Sequence, residues 1–207
     1  MNPFRILAHA FRLWWRDFIG MMLLNILWFG LQIPIVTGPP ATAVLYTIAQ
    51  RMYEDEYWEM QELWSLLREL FWPAWRWALP NLIILLALAG NFYAYQDRAG
   101  AGWMVLRLVW GAVLTIWLML NLFYWPFWLS QEDKSWRTTV ANCGRFLLLN
   151  PWTALVLFIF CTSLLVASVL LTVPLVAGAV GLLALVGVTA VQHALQQANP
   201  RLRNIHK

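Results

Sequence analysis

Long apolar runs alternate with short polar breaks along this chain, and the breaks carry most of the charge. Apolar runs cover about residues 18–36, 75–95, 103–129 and 151–171, and a last one ends near residue 193. Each reaches the roughly 17–25 residues that a transmembrane helix needs. After Pro34 breaks the first run, Thr37, Gly38, Pro39 and Pro40 punctuate the chain. Pro40 suits the first turn of a new helix, so the pattern predicts a helix over 40–53, apolar but short for a full crossing.

Two stretches read differently. In residues 54–71, Met60, Leu63, Trp64, Leu67, Leu70 and Phe71 recur at helical spacing opposite Glu59, Glu62, Ser65, Arg68 and Glu69. That predicts an amphipathic interfacial helix. The first sixteen residues set Arg5, Arg12 and Arg16 among Phe4, Leu7, Phe11, Trp14 and Trp15, the pattern of a short helix lying at the headgroup level. Residues 96–102 read as a polar turn, 131–145 as a polar connecting segment, and 198–207 as a polar, frayed tail.

Charge bias sets the expected topology. The link at 172–174 carries no charge and is expected outside, which puts 134–145 and 201–207 in the cytoplasm. Counting backwards, 96–102 is outside and 51–76 inside. The N-terminal arginines join the cytoplasmic set only if the helix after Pro40 returns through the membrane. The expectation is therefore an all-α, polytopic helical membrane bundle in one domain, 1–207. It has six membrane elements, the second short or re-entrant, with both termini cytoplasmic; five spans is the alternative. The N-terminal arginines lead into a run too long for a signal-peptide core, so it is expected to be a retained span rather than a cleaved signal.

Composition agrees. The chain is 61% hydrophobic and only 12% charged, against roughly 45–50% and about 25% in soluble domains. Its mean hydropathy is +0.61. The net charge of +4 comes from single basic residues at the ends of apolar runs, where they anchor helices, and no basic cluster of nucleic-acid type occurs. Cys143 and Cys161 form no CxxC pair and read as reduced, structural thiols.

Residues 24–46, LNILWFGLQIPIVTGPPATAVLY, carry Asn25, Trp28, Pro34, Thr37, Gly38, Pro40, Ala41 and Leu45. In this order and spacing they resemble the signature of the YesL-like family of small bacterial membrane proteins, a domain of unknown function. There an Asn-x-x-Trp in the first span leads through Pro and Thr to a Gly-Pro-Ala turn. Here Pro39 intervenes and Gly38 sits one residue early. The resemblance implies a bacterial inner-membrane location and a role beside carbohydrate ABC transporters; together with the apolar helix faces it leads to an ABC transporter permease or a membrane sensor as the expected partner.

The most unusual face lies on the run 103–129. Trp103, Arg107, Trp110, Leu114, Trp117, Asn121, Tyr124 and Trp128 alternate at three and four residues and share one side of a helix. Trp117 should lie near mid-membrane, and Arg107 and Asn121 would be costly facing lipid. Two uses stay open: an aromatic and polar cavity wall that stacks on a sugar or grips an anion, or a packing seam in which Asn121 bonds another helix. Asn25, Asn81 and Asn91 are further candidates for interhelical hydrogen bonds. Ala177, Gly181 and Ala184 have the small-residue spacing that permits close helix approach and suggests dimerisation.

Little else offers chemistry. Glu54, Asp55, Glu56, Glu59 and Glu62 lack EF-hand spacing and read as a solvated face. His9, His193 and His206 are far apart in sequence, and no HExxH, GxSxG or Walker-type loop occurs. No enzyme, metal or cofactor is expected. The expected function is an accessory or regulatory subunit associated with solute transport, embedded in the lipid bilayer. The alternative is a small homo-oligomeric transporter or channel with an aromatic-lined cavity.

Overall fold

A computed structural model describes residues 1–171 and 178–198. Among them are nine helices in chain order: α1 (Pro3–Arg16), α2 (Phe18–Gln32), α3 (Gly38–Tyr53), α4 (Glu62–Glu69), α5 (Phe71–Ala94), α6 (Ala101–Ser130), α7 (Trp136–Leu149), α8 (Pro151–Leu171) and α9 (Ala179–Ala198). Four of them, α5, α6, α8 and α9, are long and apolar enough to cross a membrane. The protein is a helical membrane bundle.

Local sequence explains where the helices start. The Asn2 side chain accepts from the Phe4 amide at the head of α1, and the Asp17 carboxylate accepts from the Gly20 amide at the head of α2. Ser135 Oγ accepts from the Thr138 amide to open α7. These are side-chain N-caps, each satisfying an amide that the first helical turn leaves orphaned. Gly178 precedes α9 at φ 105°, a left-handed conformation that glycine adopts without steric penalty.

Two helices form the centre. In α9 every residue from Gly181 to Val191 is buried, and α1, α2, α3, α6 and α8 pack around it. In α3, Ala41, Ala43, Val44, Leu45, Ile48 and Ala49 are buried, with α2, α4, α5, α6 and α9 as neighbours. Both are rich in Gly and Ala, which lets helix backbones approach closely. A Cβ on Gly187 would sit 2.8 Å from the Leu122 carbonyl oxygen of α6, so that crossing requires glycine. Gly181 meets Met21 of α2, and Ala184 is fully buried, so both are used inside the chain.

Several sequence expectations need correction. The first span was expected over 18–36, but α2 stops at Gln32, because Pro34 offers no amide donor and 33–37 turn the chain. At 15 residues α2 is about 22 Å long, short of the roughly 30 Å hydrocarbon core. Its partner α3 begins at Gly38 rather than residue 40 and, at 16 residues, is short as expected. The amphipathic stretch is helical only over Glu62–Glu69; residues 56–59 take no regular structure. The segment 131–145, read as a polar connection, holds most of α7, whose Thr139, Cys143 and Phe146 are buried against the bundle. The link 172–174, Ala177 and the tail residues 199–207, with His206, lie outside the described residues.

Candidate functional site

The aromatic face of α6 looks onto α5, which runs back along it. The indole of Trp117 donates to Asn81 Oδ1 at 2.9 Å, and the indole of Trp77 donates to Asn121 Oδ1 at 3.0 Å. Each Asn then donates back one turn along its own helix, Asn81 to the Trp77 carbonyl and Asn121 to the Trp117 carbonyl. The two helices carry the same unit, Trp77-x-x-x-Asn81 and Trp117-x-x-x-Asn121. Because they run antiparallel, each Trp meets the other's Asn. This reciprocal latch satisfies the indole donors at membrane depth, where an unsatisfied polar group costs several kcal/mol.

The rest of the face is also occupied. Arg107 donates to the carbonyls of Tyr95, Gln96 and Arg98 at 2.8, 2.8 and 2.6 Å, covering the C-terminal end of α5 where carbonyls lack helical partners. Tyr95 stacks on Trp103 at 4.9 Å between centroids, and Trp110 sits 5.6 Å from Phe92. Tyr124 is buried 6.1 Å from Trp77. Trp128 donates to the Lys134 carbonyl, while Lys134 Nζ donates to the carbonyls of Trp128 and Leu129 and closes α6. The space left among Trp77, Asn81, Trp117, Asn121, Tyr124 and Trp136 is about 10 Å³, room for one water at most. The arrangement has the geometry of a packing seam.

The residues of the 24–46 stretch build one corner. Trp28 donates to Thr42 Oγ1 at 3.1 Å and Thr42 donates to the Gly38 carbonyl at 3.1 Å. Thr37 Oγ1 donates to the Leu31 carbonyl at 2.5 Å, closing the end of α2. Pro40 and Ala41 are buried at the start of α3, Pro34 is exposed in the turn, and Asn25 is fully buried in α2. Between them Ile35 takes φ 60°, unfavourable for a β-branched residue, so the side-chain bonds hold a strained turn. What these residues do here is set the angle between α2 and α3.

Two groupings escaped the sequence reading. Trp77 is half of the latch, and the repeated Trp-x-x-x-Asn spacing was the signal for it. His9 and His193, 184 positions apart, meet with Nδ1 and Nε2 3.4 Å apart; Tyr53 lies beside His9, and Gln196 donates to the Tyr53 hydroxyl. Burial first, then the nearby Arg12, holds His9 below its ordinary value of 6.5. No local pattern announces that pair. Among the described residues no group of three His, Cys, Asp or Glu side chains could hold a metal ion. Compared with known proteins, the chain matches no family model, no curated protein and no solved structure.

Proposed function

We propose that this protein is an accessory or regulatory subunit of a bacterial inner-membrane assembly for solute uptake, working through helix docking. The observation that carries this reading is the closed seam. The most polar and aromatic intramembrane face of the chain is spent on joining α5 to α6, with space for no solute larger than water. Outward, the hairpin presents apolar residues, with Leu82, Ile83 and Leu86 of α5 and Met104, Val105 and Leu108 of α6 all exposed. Such a surface serves lipid and partner helices. The reading assigns no reaction to the chain, and the carbohydrate link rests on the resemblance of residues 24–46 to the YesL-like signature. An ABC permease or a membrane sensor is the partner it implies.

Orientation is part of the proposal. Helix α1 lies along the end of the bundle where α3 and α9 finish and α8 begins, so Arg5, Arg12, Arg16 and Arg51 gather there, while the α5–α6 turn brings only Arg98 and Arg107. By the positive-inside bias the first end is cytoplasmic. An Ala99→Cys variant in that turn should react with a membrane-impermeant maleimide from the outer side of the membrane, since both native thiols are buried.

The functional test is purification of the tagged chain from its own host's membranes in mild detergent, with stoichiometric partners identified by mass spectrometry. Permease or sensor subunits at fixed ratio support the proposal. A defined homo-oligomer with no partner overturns it in favour of a self-sufficient transporter or channel.

A further inference from the structure

At the end of the bundle where α6 and α9 finish and α8 begins, a groove of about 260 Å³ opens between α6, α7 and α9. That lies near the lower edge of small-ligand pockets, roughly 300–1,000 Å³. Its floor is apolar, with Phe127 and Phe146 buried and Leu195 half-buried. Its rim is polar: Gln131, Asn142, Asn150 and Arg145. Among the described residues no carboxylate lines it.

The rim amides are held in place by one another, and its guanidinium is left over. Gln131 Nε2 donates to Thr139 Oγ1 at 2.6 Å and Gln131 Oε1 accepts from Asn142 Nδ2 at 3.1 Å, which fixes two amides. Arg145 is exposed and joins neither of the two ion pairs among the described residues. The nearby Asp133 carboxylate is already engaged by Thr138 and Ser135, whose hydrogen bonds hold its pKa below the usual range. One unneutralised guanidinium among amides, with no acid among the described lining residues, selects an anion.

The floor selects which anion. Beside the groove, Leu148 is 82%, Leu149 79% and Trp152 68% exposed, an apolar apron with an interfacial Trp next to the polar segment 131–135. A free inorganic anion would leave that apron and the aromatic floor unused. We propose that this groove binds the headgroup of an acidic glycerophospholipid, Arg145 holding its phosphate and the acyl chains lying along Leu148, Leu149 and Trp152.

The test uses the full chain, delipidated in detergent. Native mass spectrometry and thermal melting would follow titration with phosphatidylglycerol, phosphatidylcholine of the same chains, and inorganic phosphate. Phosphatidylglycerol should be retained and raise the melting temperature, phosphatidylcholine and phosphate much less. Arg145→Gln should weaken phosphatidylglycerol retention about tenfold, as expected for one charge-assisted hydrogen bond. Arg137→Gln, on the same helix but outside the lining, should not. Melting of the lipid-free variant at the wild-type temperature shows that Arg145→Gln is folded. Equal retention of both lipids, no effect of Arg145→Gln, or saturation by phosphate alone overturns the proposal. So does lipid binding that appears only after residues 199–207 are deleted, because the tail is then the occupant.

Discussion

Helices α6 and α9 are both apolar enough to cross a membrane, yet they have opposite fates. The more hydrophobic, α6, has a window of mean hydropathy 1.9 with none of it buried, whereas the α9 window, at 1.5, is 67% buried. In water the ranking would run the other way, because hydrophobicity drives burial there. In lipid that drive is absent, and close packing of small residues decides. Helix α9 runs AVGLLALVGVTA through the core, while the exposed part of α6 is dominated by Leu, Val, Ile and Trp and its partner α5 by Leu, Ile, Trp and Ala. The core is held by backbone proximity and the hairpin by discrete polar latches.

The hardest test of that contrast compares two glycines. A methyl group at Gly187 would press on the Leu122 carbonyl at 2.8 Å and on Pro126 and Tyr46, whereas one at Gly111 meets nothing within 4 Å. Gly187→Ala should therefore destabilise by about 1–3 kcal/mol, the usual penalty of overpacking. Gly111→Ala should be neutral or stabilising by up to about 1 kcal/mol, through helix propensity. Melting temperatures in one detergent would check both. Equal effects would mean that α9 is no more tightly packed than the hairpin, and the contrast fails.

The latch comes next in size. Trp117→Phe keeps an aromatic ring, though a smaller one, removes the indole donor and leaves Asn81 Oδ1 without it; Asn81→Leu removes the acceptor. Interhelical hydrogen bonds in membranes are worth about 0.6–2 kcal/mol, so each change should cost that much, and the double variant little more than either single. The loss should fall on amide exchange in α5 and α6 and spare α9. Additive losses would show that the two side chains do not act as a pair.

What the sequence made legible follows the same division. The long runs stood out because lipid tolerates only helices with every backbone bond satisfied internally, and α8 matches its expected bounds of 151–171. The seam face of α6 was legible from spacing, and so was the candidacy of Asn81 and Asn121. Its partner Trp77 was not singled out, since a Trp near a span end also fits an aromatic belt. Helix α7 was hidden because its polar N-terminal half, from Trp136, reads as a loop until the capping bond at Ser135 is seen. The central role of α9 and the His9–His193 contact depend on tertiary approach between distant segments, which no window of sequence encodes.

Acid offers the finest way to separate the two regions, because the core holds a histidine pair and residues 71–130 of the hairpin hold none. His9 faces His193 from α9 and Tyr53 from α3, with Arg12 and Arg16 opposing its protonation and Asp55 favouring it. Burial is the largest influence and keeps its folded pKa below 6.5. The unfolded chain then takes up the proton first as pH falls. Stability from this site is intact above about 6.5 and is lost on descending from there through the lowered folded value. Melting temperature between pH 8 and 5 should fall on the acid side. His9→Gln should flatten that slope, and amide exchange should accelerate in α1 and the end of α9 before it does in α5 and α6. An acid response that begins in the hairpin, or that survives His9→Gln unchanged, would leave the histidine contact as packing alone.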